Sequence, residues 1–519
     1  MADLKLTTAR TLKWNAIDRV ASQVLYALIG IVLANILSHE EFGLVGALAI
    51  FQAFATIFVD SGFGSALLRE KNPSDEDYST VFWFNAGVSL LIYLILFLSA
   101  PLIGRLFHQE ELIPMSKVIF LTFVINGLAI IQINRLMKRM DVRMIAVANS
   151  AALVISGIVG VTLALLGFGA WSMVWYSVSQ AAVKTSILWL TGGWRPGLCF
   201  RMATIRRIRS VGLSVLLSAL LNTISLNIYN FVIGIWFSVR ALGVYTQADK
   251  WSKMGSASIS QILTSTFVPL LSRVQGSASD FHRYVDRAGR FTAFILLPSM
   301  TLLALMATPI FHLLFAGKWN EAIPLFQLLA LRGIFIVLIS LYSNYLLALG
   351  RARLLFVSEA VKDLLIFVAI LLTVSRRDIT LLIIGQTAAS AVTWMILLPL
   401  TSRGIGMAVG RMLRHLLPFL AATLVAAAIS LGAAWLLQSA LTPFMESPDS
   451  PSLIPALLDP YAPQPAASLR IALNLLMLLI QTASFAAAYL LSLRIARTPE
   501  LPEALAYLLG RFRRKNLPS

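Results

Sequence analysis

Some fourteen long apolar stretches run along this chain, and Lys and Arg gather in every second gap between them. They fall near 15–38, 44–68, 80–104, 118–133, 144–166, 169–192, 210–236, 254–272, 291–315, 322–349, 354–375, 379–400, 415–437 and 470–493. A bilayer-spanning helix needs about 20 apolar residues, and these runs are that long and apolar all round. Strands of a membrane barrel are about 10 residues with alternating polarity, so the barrel reading fails. Hydrophobic residues make up 58% of the 519 and charged residues 13%, more apolar surface than a soluble fold could hide. The fold class is therefore an all-α polytopic membrane protein.

The basic residues set its direction. Gaps counted from the N-terminus alternate between rich and poor, 29 Lys and Arg on one side against 8 on the other, with five inside spans. The positive-inside rule puts the rich side in the cytoplasm, which places both termini there. The same rule accounts for most of the net charge of +18 without nucleic acid as a partner. The one cysteine, Cys199, allows no intrachain disulfide. The first span is too long for a signal-peptide h-region and is expected to stay as a helix.

The chain repeats itself at an offset near 200. ILSHEEFGLVGALAIF at the end of the first span corresponds to IWFSVRALGVYTQADKW at the end of the seventh, aligning Gly43 with Gly243. The basic loops after spans four and ten also correspond. Two like-oriented sets of six spans make a parallel repeat, the pattern of transporters that enclose a central path. The expected organisation is a six-helix lobe over 1–200, a second over 201–405, and two added spans over 406–519. Those two are joined by an irregular, Pro-rich loop at 438–469.

Charge at membrane depth costs about 3 kcal/mol or more, so it faces protein or water. Asp60 shares a helix face with Gln52, Thr56 and Gly64, and reads either as a cavity group or as a structural hydrogen-bonding group. Span seven carries Ser214, Ser218, Asn222 and Ser225, and span one Asn15, Asp18 and Ser22. Such stripes face a wet cavity or a tight helix contact. Arg19, Lys184, Arg332 and Lys362 are the candidate cationic lining for an anionic head group. A guanidinium fork suits phosphate best. Glu359, Lys362 and Asp363 share one helix face, where pairing with each other is the alternative. Asp18, Asp60, Asn222, Glu359 and Asp363 are the candidate ion-coupling or polar cavity groups. Pro269 and Pro298 interrupt spans eight and nine, as hinges or as static kinks.

No phosphate-binding GxxxxGK[ST] loop, HExxH or Cys/His metal cluster is present. No cofactor or metal is expected, nor is the chain expected to be an enzyme.

LSHEEFGLVGALAIF, FVDSGFGSALLREKNPSDEDYSTVFWFN, GFGAWSMVW, the WRP at 194–196, NIYNFVIGIWFSVRALGVYTQADKW and FVPLLSRVQ together resemble the Wzx-type polysaccharide flippases. These belong to the multidrug/oligosaccharidyl-lipid/polysaccharide exporter superfamily, and the likeness is to the colanic acid exporter branch. It covers roughly 10–435. The resemblance implies a flippase that moves an undecaprenyl diphosphate-linked oligosaccharide across a bacterial inner membrane by alternating access. Two six-helix lobes would surround a cationic cavity. Positions that match the family's stretches are Asp60, Arg69, Tyr245 and Asp249. A polysaccharide polymerase and a chain-length regulator are candidate partners. The alternative is a cation-coupled multidrug exporter, which would want an acidic, aromatic cavity.

Overall fold

The computed structural model describes residues 2–60, 62–445, 464–496, 498 and 501–502. Some helical side chains, those of Asp60, Arg69, Ser214 and Ser218 among them, lie outside the described set. The helices run in the order α1 (Ala2–Ile36), α2 (His39–Asp60), α3 (Phe63–Arg69), α4 (Asp75–Leu106), α5 (Leu112–Ile119), α6 (Leu121–Lys138), α7 (Val142–Leu165), α8 (Ala170–Thr191) and α9 (Met202–Trp236). They continue with α10 (Val239–Arg273), α11 (Ala278–Leu305), α12 (Ala307–Phe315), α13 (Ala322–Ala348), α14 (Ala352–Val374), α15 (Ile379–Ile405), α16 (Val409–Arg414), α17 (Leu417–Met445) and α18 (Gln464–Ile495).

Among the described residues, 10 stretches of helix are long and apolar enough to cross a bilayer. The other long helices are α8, α9, α10 and α14. Lys184 on α8 and Asp249 with its lysines on α10 lower the hydropathy of those helices, α14 carries Glu359, Lys362 and Asp363 together, and part of α9 lies outside the described set.

The chain divides into two compact units, Met1–Thr246 and Gln247–Ser519. The helix α9 packs against α2, α3 and α4 and so falls in the first unit. Within that unit α1 lies on α7, and α7 on α8. Close approach there rests on Gly157, where a Cβ would stand 2.6 Å from Ile29 Cδ1. In the second unit one apolar core runs from Phe267 of α10 through Phe281 of α11 and Tyr345 of α13 to Phe419 of α17 and Phe485 of α18. Tyr489 of α18 donates to the Phe294 carbonyl at 2.8 Å, tying the added helices to α11.

The repeat is written into the backbone turns. Asp141 N–H donates to the Leu136 carbonyl and Arg351 N–H to that of Leu346, both at 2.9 Å. The residue before each donor is left-handed, Met140 with φ 57° and Gly350 with φ 66°. Gly167 and Arg377 repeat the pattern one span later, with φ 82° and 51°. These pairs lie 210 positions apart, so α7 and α14 correspond at that offset. Ser74 and Ser277 likewise open α4 and α11, each accepting the amide of an aspartate three residues on. A side-chain oxygen there satisfies an amide that the helix leaves free.

Gly43 and Gly243 do more than align. A Cβ on Gly43 would stand 1.8 Å from the Val239 carbonyl oxygen, and one on Gly243 1.9 Å from that of His39. Glu40 and Arg240 pair beside them at 3.0 Å. Each contact joins a residue to the counterpart of its partner 200 positions on, a local two-fold inside the first unit.

The loop expected at 438–469 is corrected, while Pro269 and Pro298 lie inside continuous helices. Membrane helices tolerate proline because neighbours can satisfy the freed carbonyl. The stretch 438–469 is helical at both ends, through Met445 and from Gln464. Its remainder, 446–463, lies outside the described residues.

Candidate functional site

The first polar centre sits where α1, α7 and α8 meet. Asp18 accepts from Ser22 Oγ one turn on, at 3.3 Å, and from Asn149 Nδ2 of α7 at 3.2 Å. Lys184 of α8 is half-buried and feels the Asp18 charge, yet no carboxylate lies within ion-pair distance of it among the described residues. Arg19, next to Asp18, is exposed. Asn149 was not foreseen; only its place as an amide on a helix with few polar residues could have signalled it.

An open cleft of about 460 Å³ runs beside this centre, lined by Trp14, Asp18 and the α7 face from Ala146 to Ile155. It is apolar along its length, with Val154 and Ile155 partly exposed, and Asp18 stands at its polar end. Arg143, at the start of α7, lies over the Trp14 ring at 5.5 Å.

The second centre belongs to the second unit. Arg332 of α13 is half-buried, and its Nε donates to Ser390 Oγ of α15 at 3.2 Å. Ser390 in turn donates to the Gln386 carbonyl at 3.0 Å, so its lone pair is aimed at the guanidinium. That bond uses one of the five arginine N–H groups. No carboxylate pairs with Arg332 among the described residues. Ser390 was another residue that sequence reasoning missed.

Lys362 is differently placed. It forms an ion pair with Glu359 on its own helix and lies 3.8 Å from Asp363, so its charge is offset within α14. Of the two alternatives drawn from the sequence, this is the mutual pairing. Glu359 stands 210 positions after Asn149, on the same face of the corresponding helix. Asn222 is exposed on α9. Tyr245 is buried, and Asp249 is nearly buried and pairs with Lys253 at 2.5 Å. The side chains of Asp60 and Arg69 lie outside the described set.

A network not anticipated from sequence fastens the start of α9. Asp77 accepts from Thr204 Oγ1 at 2.6 Å and pairs with Arg207 at 3.1 Å. Arg207 also reaches Glu70 at 3.2 Å, and Arg201 reaches Glu76 at 2.5 Å. Beneath them Trp194, Ile205 and Ile208 pack with Leu67, Tyr78 and Phe82. In the second unit the segment after α15 is held by a smaller set: Asp286 of α11 pairs with Arg411 at 2.5 Å and with His415 at 2.9 Å.

Residues 32–324, more than half the chain, match a family described as "Polysaccharide biosynthesis protein". The teichuronic acid biosynthesis protein TuaB of Bacillus subtilis (strain 168) is 24% identical over 350 residues, 66% of this chain and 72% of that protein. The succinoglycan biosynthesis transport protein ExoT of Rhizobium meliloti (strain 1021) is 24% identical over 350 residues, 67% and 71% of the two chains. The lipopolysaccharide biosynthesis protein WzxC of Escherichia coli (strain K12) is 23% identical over 378 residues, 71% and 75%. Among solved structures, the lipid II flippase MurJ in an inward closed conformation aligns with TM-score 0.68 at 14% identity, covering 93% of this chain and 99% of that one. An inward-facing multidrug resistance MATE family transporter aligns with TM-score 0.57 at 18% identity, covering 74% and 95%. Both likenesses establish a shared fold.

Proposed function

Because the chain belongs to the polysaccharide biosynthesis protein family, we propose that it is a flippase for a lipid-linked oligosaccharide. It moves an undecaprenyl diphosphate-linked glycan across a bacterial inner membrane by alternating access, for exopolysaccharide, capsule or lipopolysaccharide synthesis. It is a transporter and not an enzyme. It crosses the membrane fourteen times with both termini in the cytoplasm, the reading that the 29-to-8 basic bias supports.

The observation that carries the reading is the pair of half-buried cations without a carboxylate partner among the described residues, Lys184 and Arg332. An uncompensated cation at membrane depth is retained at a cost of about 3 kcal/mol on insertion scales, and an anionic ligand offsets it. The diphosphate is that anion. Arg332, with free N–H groups beyond its bond to Ser390, is suited to grip a phosphate from two sides. Lys184 adds a point charge, Asp18 sets the field around it, and Arg19 lies at its edge. Lys362 contributes less, since Glu359 and Asp363 offset it. A proton or sodium gradient acting on Asp18 or Asp60 drives the cycle. A polymerase and a chain-length regulator take the product.

The test is a deletion strain. Lipid-linked oligosaccharide accumulates on its cytoplasmic face, and the wild-type gene clears it while Arg332→Ala clears it poorly. A cation-coupled multidrug exporter would instead leave the polysaccharide intact and make the deletion strain drug-sensitive.

A further inference from the structure

Beyond the substrate path, the two repeats carry one cleft each along corresponding faces of α7 and α14, and the two clefts end in opposite charge. The first, described above, is walled by α1 and ends at Asp18. The second, about 280 Å³, is walled by α15 and ends at Arg403. Val357 and Val361 of its α14 wall stand 210 positions after Val147 and Ala151 of the first. The charged ends diverge at corresponding places. Asp141 and Arg143 open α7, whereas Arg351 and Arg353 open α14. The end of α15 lies beside the start of α14, where Gly404 abuts Leu354, so Arg351 and Arg353 open α14 near the end of the cleft that Arg403 lines. All three are exposed, and none pairs with a carboxylate among the described residues.

Inside the cleft nothing polar is free. Ser358 and Thr393, the two hydroxyls in its wall, donate to their own helices, to Leu355 O and Ala389 O at 2.7 Å each. The rest is Val357, Val361, Ile396, Leu397, Pro399 and Leu400. Such a wall takes a hydrocarbon chain and rejects a sugar. The Arg403 guanidinium at its end takes a phosphate.

We propose that the α14/α15 cleft binds an anionic membrane phospholipid, with one acyl chain in the cleft and the headgroup phosphate on Arg403. The acid-ended cleft of the first unit does not bind it. This site is separate from the Arg332 and Lys184 centres and does not depend on their role.

The experiment uses the full chain, purified in detergent and stripped of lipid, with phosphatidylglycerol and phosphatidylcholine added in turn. Native mass spectrometry counts bound lipid, and thermal melting reads stabilisation. Phosphatidylglycerol is expected to bind and raise the Tm more than phosphatidylcholine. Arg403→Gln weakens that preference about fivefold, the factor expected for one interfacial arginine. Val361→Trp, which fills the cleft, removes it, and Ala151→Trp in the first cleft leaves it intact. Equal binding of the two lipids overturns the proposal, as does full phosphatidylglycerol preference in Arg403→Gln. Displacement of phosphatidylglycerol by undecaprenyl phosphate at far lower concentration also overturns it, by assigning the cleft to the isoprenoid. Should Val361→Trp fail to fold, Arg403→Gln and Arg403→Lys decide between these outcomes, with the lysine variant keeping most of the preference.

Discussion

The faces of α7 and α14 are built at the same positions of a duplicated scaffold, and they have been put to different use. On α7, Asn149 donates across to Asp18 of α1, so α1 is fastened to α7 by a neutral donor and a carboxylate. On α14 the same position is Glu359, and its charge is answered within the helix by Lys362. One amide-to-carboxylate difference thus separates a face that binds a neighbouring helix from one that is satisfied alone. Duplication preserves backbone and packing, which are costly to change. Charge at a half-exposed position is cheap to change, and there the halves have parted.

The comparison is sharpest where the repeats still agree, and it can be broken there most severely. Gly43→Leu is expected to have the largest effect, because a side chain must displace the Val239 carbonyl 1.8 Å away. Overpacking of this kind costs about 1–3 kcal/mol, and more when backbone must move. Gly243→Leu should match it, since its Cβ meets the His39 carbonyl at 1.9 Å. Thermal melting of the two variants tests this, and a tolerated leucine at either site would deny the local two-fold.

The next contrast concerns the two cationic centres. Arg332→Ala removes the guanidinium held by Ser390, and Lys184→Ala removes the amine that feels Asp18. Export in a complementation assay should fall about tenfold or more for Arg332→Ala, the scale of a lost charge-assisted contact of roughly 1.5–3 kcal/mol. Arg332→Lys should recover only part, because a lysine cannot reproduce the fork. Lys184→Ala is expected to fall less, since an ammonium is a point charge without the fork that grips a phosphate from two sides.

The two fastenings at the basic ends come third. Asp77→Asn loses pairing to Arg207 while Thr204 and the capping amide still bond, so melting should fall by about 1–2 kcal/mol. Asp286→Asn faces Arg411 and His415 with no such cap. Its loss should be similar but recoverable by the exchange Asp286→Arg with Arg411→Asp, whereas the same exchange of Asp77 and Arg207 should fail because Asp77 also caps α4. The smallest effect belongs to Glu359→Gln. The pair is half-exposed and intrahelical, worth about 0.5 kcal/mol, and export should change by less than about twofold. A large loss there would return Glu359 to the ion-coupling role.

Much of the fold was legible because membrane helices announce themselves. Their length is set by bilayer thickness, and most stretches expected to span lie on one long helix, whereas those at 44–68 and 291–315 each run across a break into a short helix, α3 and α12. The Gly43/Gly243 alignment was legible too, since glycine at matched places implies close approach. The site was less so. Lys184 and Arg332 stood out as charges in apolar runs, but Asn149 and Ser390, which hold Asp18 and Arg332, look like any small polar residue in a span. Which polar residues meet depends on helix rotation and packing, and neither is written in spacing along one helix. The Asp77 network was hidden for the same reason: Ser74 and Asp77 read as a helix start, but Thr204 and Arg207 lie some 130 residues away.

Composition and the alternation of basic gaps alone determined that the chain is an all-helical membrane protein with a repeat, because hydrophobic thickness and positive-inside topology act on local sequence. Tertiary structure alone decided that Lys362 is spent on Glu359 while Arg332 is not. It also decided that α9 packs with α2, α3 and α4, and that the cleft beside α7 ends in a carboxylate and the cleft beside α14 in an arginine. Those outcomes depend on which side chains are brought within 3–4 Å, and at that range the partner, rather than the residue type, sets what a charge can do.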